Sequence, residues 1–256
     1  MTQRIGLQLY SLRDYVGEDV EGMLRKVKAC GFTAVEFAGY YGLPAEELKA
    51  LVDEIGLEPY SSHVAYELIE SKPEEVIAYS KALGLSYVIC PFTKPATAEE
   101  AREIAEVLSH LHEQLAPFGI KVGYHNHAHE FVEVDGKYLE DYLLEGFGHE
   151  DMVAEIDTCW VRYAGVDPVA YIDKLGQQAG PIHFKELGKD FAPGSREGLD
   201  AMVGEGIIDF ASILQVMQKN GTLERGVIVE QEAFQADPYA QLAESVYHIR
   251  QIWPGV

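Results

Sequence analysis

Apolar positions along this chain follow two alternating rhythms. Short runs rich in Val, Ile and aromatic residues are separated by longer stretches in which apolar residues recur three and four apart. The first rhythm marks buried strands and the second amphipathic helices. The punctuation also recurs: a helical pattern, a glycine, a few residues, then an apolar run. It appears in ACGFTAVEF (Ala29 to Phe37), EIGLEPYSSH (Glu54 to His63), ALGLSYVIC (Ala82 to Cys90), PFGIKVGYHNH (Pro117 to His127), QAGPIHFKE (Gln178 to Glu186) and NGTLERGVIVE (Asn220 to Glu230). With IGLQLY near the start and MVAEID (Met152 to Asp157), eight strands are expected. Their expected ends are Tyr10, Phe37, His63, Cys90, His127, Asp157, Lys185 and Glu230, mostly about thirty residues apart, as repeated strand-helix units require.

Helix starts are marked too. Thr97-Ala98-Glu99-Glu100 has capping-box spacing, Ser71, Asp209 and Asp237 are expected caps, and Pro73 and Pro238 suit first turns. The fourth connecting helix, about Thr97 to Ala116, carries Ile104, Val107, Leu108, Leu111 and Leu115 on one face. The longest gap, KDFAPGSREGLDAMVGEGIIDF, is expected to form a loop over one end of the sheet. Eight such units predict an α/β fold, a single (β/α)8 TIM barrel domain over residues 1–256. An open doubly wound sheet is the alternative, and the first turn, YSLRDYVGED, lacks its GxGxxG phosphate loop.

At 256 residues and 47% hydrophobic, the chain can bury one large core. It has no apolar run of membrane-spanning length, and MTQRIGLQLY lacks the layout of a secretion signal, so a cytoplasmic protein without membrane partners is expected. Cys30, Cys90 and Cys159 are odd in number and lie outside any CxxC pattern, which predicts reduced thiols. Twenty basic residues against 42 acidic ones give a net charge of −22, which repels phosphate backbones and makes nucleic acid a poor partner.

In a barrel of this kind, polar residues at the C-terminal strand ends are the functional candidates. Those ends offer Gln8 and Tyr10, Glu36, His63, then His125, His127 and Glu130, Asp157, His183 and Lys185, and Glu230 and Glu232; strand four offers nothing charged. Carboxylates crowded into one mouth repel one another, and a divalent cation keeps several of them ionised. His, Asp and Glu without thiolate suit Mn²⁺, Mg²⁺, Co²⁺ or Zn²⁺. Asp157, His183 and Glu230 form the core of the expected ligand set, each from a successive strand. His125 and His127, two apart, face the same way, so that one can bind metal and the other substrate. Glu130 can fold back over the site, whereas His129 alternates away and is expected on a loop surface. Glu36 and His63 can instead bond loop backbone, and Lys185 can be a buried salt-bridge partner of Glu230 or Asp157.

GYHNHAHEF (Gly123 to Phe131), EIDTCW (Glu155 to Trp160), IHFKE (Ile182 to Glu186), VGEGIIDF (Val203 to Phe210) and VIVEQE (Val227 to Glu232) resemble, in order, the motifs of the xylose isomerase-like barrel superfamily, in its sugar phosphate isomerase/epimerase group. The resemblance implies one divalent ion, most often Mn²⁺, held by one ligand from each of strands five to eight: His125, where many relatives have Glu, then Asp157, His183 and Glu230. His127 and Glu130 remain alternatives for the strand-five ligand. The endonuclease branch reads DTCH on strand six; Trp160 stands here in place of that His, which with the charge argues against DNA repair.

The implied chemistry is proton abstraction beside a carbonyl of a sugar, keto-sugar or polyol through a metal-bound enediolate, giving an isomerase or epimerase. The expected base is Glu230 or Glu130 with a histidine such as His127. Lys185 is expected on the enediolate oxygen, His63 and Glu36 on distal hydroxyls, and Trp160, Tyr10 and Phe37 as apolar walls. Arg162, Lys189 and Arg196 occupy rim positions but without a phosphate cradle, so an unphosphorylated substrate is favoured. A dehydratase of the inosose dehydratase type and a non-catalytic ligand-binding barrel are the alternatives. A homo-oligomer is compatible with the resemblance.

Overall fold

The computed structural model describes residues 3–17, 19–145, 152–195 and 197–253. Eight parallel strands close into a barrel: β1 (Ile5–Gln8), β2 (Ala34–Ala38), β3 (Glu58–His63), β4 (Tyr87–Cys90), β5 (Lys121–His125), β6 (Met152–Asp157), β7 (Ala179–Phe184) and β8 (Val227–Val229). β1 closes the ring by pairing with both β2 and β8. The strand expectations hold, but β1 stops at Gln8, β5 at His125, β7 at Phe184 and β8 at Val229, so the last polar residues of each motif stand on the outgoing turns. Among the described residues no helix is long and apolar enough to cross a membrane.

The connecting helices are α1 (Val20–Ala29), α2 (Ala45–Ile55), α3 (Tyr66–Ser71), α4 (Pro73–Leu83), α5 (Ala98–Leu115), α6 (Leu139–Leu144), α7 (Thr158–Tyr163), α8 (Pro168–Leu175), α9 (Phe210–Asn220) and α10 (Pro238–Ile252). Thr97 caps α5 by accepting from Glu100 N at 3.2 Å, while the Glu100 carboxylate accepts from Ala96 N. Asp209 and Asp237 cap α9 and α10 as their positions predict. Ser71 does not cap: it closes α3, its hydroxyl donating back to Glu67 O at 2.5 Å, and α4 begins with Pro73 after Lys72. All three cysteines are free thiols, Cys30 only half-buried.

The barrel interior is layered. Ala34, Tyr60, Tyr87, Ile89, Val153 and Ile228 form a separate apolar cluster. Gly123 belongs to this packing: a Cβ there would stand 2.7 Å from Ile89 Cδ1 and from the Val153 carbonyl. Side chains alternate faces along a strand, so two residues beyond Ala34, Val153 and Ile228 the inward positions are Glu36, Glu155 and Glu230. Polar side chains therefore lie directly on an apolar floor. The long stretch after β7 forms a loop, which buries Leu187, Leu199 and Val203 against the core, and none of its described residues lines the main cavity.

Candidate metal centre

Parallel register brings the polar ends together. Asp157 pairs with His183, His125 with Glu155, and Gln8 with Glu36. Two tiers result. In the upper tier His125, Asp157, His183 and Glu230 each offer one ligand-type atom within 4.8 Å of all the others. His125 Nε2 is 4.0 Å from Asp157 Oδ2, and His183 Nδ1 is 2.8 Å from Glu230 Oε2. Asp157 Oδ1 accepts from Trp160 N at 2.9 Å, capping α7, and Asn126 holds the Asp157 backbone N–H at 3.0 Å. Asp157 Oδ2 is left buried with no hydrogen-bond partner. Such an orphaned buried oxygen is costly unless something ligates it, and burial pushes the Asp157 carboxyl up to about 7. Two imidazoles and two carboxylates around this atom fit a divalent cation.

The lower tier is Glu36, His63 and Glu155, with Gln8 and Ser61 bonding Glu36 at 2.7 and 2.5 Å. His183 turns its second nitrogen here: Nε2 lies 2.7 Å from Glu36 Oε1 and 3.1 Å from Glu155 Oε2. His125 does likewise, with Nδ1 3.1 Å from Glu155 Oε2, and His63 Nε2 is 2.6 Å from the same oxygen. Each of the two ligand-type imidazoles thus faces the upper tier with one nitrogen and a carboxylate with the other, the arrangement that sets tautomer and raises ligand basicity. Burial works against charge on His63, yet Glu36 and Glu155 outweigh it and raise the ring to about 10. Burial, then His183 and His63, hold His125 well below its ordinary value, in the neutral form that a ligand must have.

Several of the expected site residues lie away from the cluster or the cavity. Glu130, expected as a base, does not reach the cluster: it is fully buried, and its carboxylate accepts from the Tyr124 hydroxyl and from His127 N, each at 2.8 Å. It fastens the turn that carries His127. Glu36, expected on substrate hydroxyls, is fully buried beneath the site with four donors converging on it, and it does not line the cavity. Lys185 does not line the cavity either, and of its two expected roles the structure shows the buried salt-bridge partner of Glu230 and Asp157. It sits 4.9 Å from the Trp160 ring, close against Glu232, 3.6 Å from Glu230 and 3.8 Å from Asp157. Burial opposes ionisation of Glu230, but Lys185 and the bond from His183 outweigh it and hold the carboxyl well below the usual range. Phe37 is core.

Tyr10, His63, His125, His127, Trp160 and Glu230 do line one cavity of about 760 Å³, together with Glu232. His127 Nδ1 and Trp160 Nε1 are buried there without partners. Burial, then Lys185, push the His127 ring down to about 4, so it is neutral at pH 7. His129 lies aside, bonded to Thr93 O at 2.7 Å. No Lys or Arg is among the described residues lining the cavity; Arg162 lies at a separate surface depression, Lys189 is elsewhere, and Arg196 lies outside the described residues.

The family described as xylose isomerase-like TIM barrel matches residues 24–252. The chain belongs to that family. It is 27% identical to the rhizopine catabolism protein MocC of Rhizobium meliloti, over 87% of this chain and 79% of that protein. It is 23% identical to the inosose dehydratase of Clostridium beijerinckii, over 90% of this chain and 89% of the relative. A sugar phosphate isomerase/epimerase from Parabacteroides distasonis superposes with a TM-score of 0.83 at 23% identity, covering 99% of this chain and 96% of that one. The expected architecture and family are therefore confirmed.

Sequence reasoning missed Glu155, though EIDTCW contained the signal: Glu155 and Asp157 are two apart and share the inward face, as His125 and His127 do. It also missed the wall formed by Tyr40, Leu68 and Phe92, which carries no polar pattern to mark it.

Proposed function

We propose that this xylose isomerase-like barrel is a divalent-metal enzyme that removes a proton beside the carbonyl of an unphosphorylated keto-sugar or keto-polyol, acting as an isomerase or epimerase. One observation carries the reading: four ligand-type atoms from β5 to β8 gather within 4.8 Å, and one of them, Asp157 Oδ2, is a buried oxygen without a partner. His125, Asp157, His183 and Glu230 would hold the ion, a donor set that suits Mn²⁺, Mg²⁺, Co²⁺ or Zn²⁺, with Mn²⁺ put first because the family resemblance implies it. Bound there, it would supply Lewis acidity to a carbonyl and its neighbouring hydroxyl.

The chain's own groups handle the rest. His127, which lines the cavity with its ring neutral, accepts the proton. Glu130 positions it by holding its backbone N–H. Lys185 keeps Glu230 ionised and Asp157 and Glu232 paired, from behind Trp160. His63 presents an edge to substrate hydroxyls while anchored on Glu155. A lining without Lys or Arg supports an unphosphorylated substrate.

Return of the proton to the adjacent carbon isomerises, and return to the opposite face epimerises. Loss of a β-hydroxyl as water is the second reading, favoured by the inosose dehydratase among the relatives. Manganese-loaded protein incubated in D₂O with ketoses and inososes tests both: deuterium appears in recovered or product sugar, and a product lighter by a water distinguishes dehydration. His127→Gln lowers the exchange rate at least a hundredfold with metal affinity unchanged. No exchange with any substrate sinks the reading.

A further inference from the structure

The cavity is chemically divided, and the division has a consequence for the substrate. Every ionisable acid or imidazole that lines it comes from His63 or from the strands β5 to β8 and their outgoing turns, namely His125, His127, Glu230 and Glu232. The rest of the wall is largely apolar, Tyr10, Ala38, Tyr40, Leu68, Pro91 and Phe92, contributed by the segments that leave β1 to β4, and it meets the ionisable side where the Phe92 ring packs edge-on against His127, 5.3 Å between centroids. We propose that this wall is a subsite for an apolar, ring-bearing substituent of the sugar, so that the substrate is an aryl glycoside that carries its keto group on a ring carbon other than the anomeric one, and not a free monosaccharide. The proposal rests on the reading of the β5 to β8 side as the reacting end.

Size is the first argument. A six-carbon keto-sugar has twelve heavy atoms, and even at a full water's share of about 30 Å³ each it displaces no more than about 360 Å³. That is under half of the cavity of about 760 Å³. A free keto-sugar would therefore leave part of the lining without contact. Exposure is the second: Tyr10 and Phe92 are each 46% exposed and Leu68 36%, three large apolar side chains wet at one mouth. Exposed apolar residues scattered singly mean little, but these share one concave wall beside the ligand-type cluster. Preorganisation is the third. Tyr40 is stacked on Tyr79 with ring centroids 3.8 Å apart, and the Tyr79 hydroxyl donates to Leu43 O at 2.6 Å. The platform is therefore fixed before anything binds.

The same wall excludes other occupants. A second sugar ring would press several hydroxyls against a surface whose side chains offer only tyrosine hydroxyls, leaving the others unmatched. An anionic substituent finds no free cation among the described lining residues: His63 is already paired with Glu36 and Glu155, and Arg13, 4.3 Å from the Tyr10 ring centroid, and Lys94, 5.6 Å from that of Phe92, do not line the cavity.

The test compares methyl and phenyl 3-keto-glucopyranosides, whose carbonyl is not the anomeric carbon, by titration calorimetry with manganese-loaded protein. The phenyl glycoside is expected to bind at least tenfold tighter, a difference of about 1.4 kcal/mol. Leu68→Ala is expected to cut that advantage below threefold while leaving the methyl dissociation constant unchanged, and Phe92→Ala, which also unpacks the His127 ring, is expected to cut it likewise. Dissociation constants within threefold of each other for the two glycosides, or an advantage that survives both substitutions, overturn the subsite. Deuterium wash-in measured on the same samples separates the two claims. Exchange without a phenyl preference sinks the subsite alone, and a phenyl preference lost in Phe92→Ala without any exchange sinks the catalytic reading alone. Light scattering that finds a dimer dissociated by the phenyl glycoside assigns the wall to a second copy of this chain and also overturns the proposal.

Discussion

Glu155→Gln isolates the lower tier of the site. Glu155 Oε2 takes bonds from His63 Nε2 at 2.6 Å, His125 Nδ1 at 3.1 Å and His183 Nε2 at 3.1 Å. Two of those imidazoles have a second charged partner, because Glu36 Oε1 lies 3.1 Å from His63 and 2.7 Å from His183. His125 Nδ1 has no comparable alternative among the bonds described. The substitution therefore releases chiefly one of the four proposed ligands, and puts an amide that both donates and accepts where only acceptance serves. Carboxylates that orient ligand histidines are worth about 10- to 100-fold in metal affinity, or roughly 1.4 to 2.7 kcal/mol. Calorimetric titration of Mn²⁺ into chelator-treated protein should show the dissociation constant rising by that factor, with circular dichroism unchanged. A dissociation constant within twofold of the parent's, in a folded variant, would refute the orienting role. The tier would then be packing alone.

Two further substitutions test assignments that the geometry makes. Glu130→Gln should destabilise by about 1 to 3 kcal/mol, since it weakens a buried acceptor of two bonds, lowering Tm by about 2 to 4 °C per kcal/mol. Deuterium exchange per folded molecule should stay within a few-fold, and its abolition would return Glu130 to the chemistry. Glu140 opens α6 fully buried, with neither carboxylate oxygen partnered, and burial, then Glu130 and Asp141, raise its pKa well above the ordinary value. Because the folded pKa is the higher one, the folded state holds the proton more tightly. Glu140's contribution is therefore most favourable below its unfolded pKa of about 4.3 and is lost as pH rises through the folded value. Glu140→Gln should accordingly raise Tm relative to the parent at pH 8, by an amount that shrinks on acidification toward pH 5. A Tm difference that does not vary between those pH values would contradict the raised pKa.

The architecture was legible in the sequence because it depends on periodicity. Strand runs of period two, helices of period 3.6 and a glycine between them require only local physics, and eight repeats closing a barrel follow from the count. The ligand-type residues His125, Asp157, His183 and Glu230 were legible for the same reason: each stands at the end of a strand, where the fold opens onto its mouth. Depth was not legible. Alternation tells which side of a strand a residue faces, but not how far along the barrel axis it lies, since that is set by the stagger between neighbouring strands. The stagger puts Glu36 and Glu155 beneath the proposed ion and Asp157 and Glu230 around it, although all four point inward.

Turns add a second layer that sequence spacing does not specify. Glu130 lies five residues from His125 in the chain, yet the turn Ala128–Phe131 directs its carboxylate to Tyr124 and the His127 backbone, away from the cluster. Lys185 lies one residue past β7, where spacing allows it either to face substrate or to pair with buried carboxylates, and the fold selects the pairing, with the Trp160 ring of α7 near its ammonium. The sequence by itself determined the barrel and the chemical type of its mouth, because both arise from contacts between near neighbours and from the count of repeats. Only the tertiary structure decided which mouth residues meet one another, which lie beneath them and which wall is apolar, because those outcomes depend on distances between strands far apart in the chain.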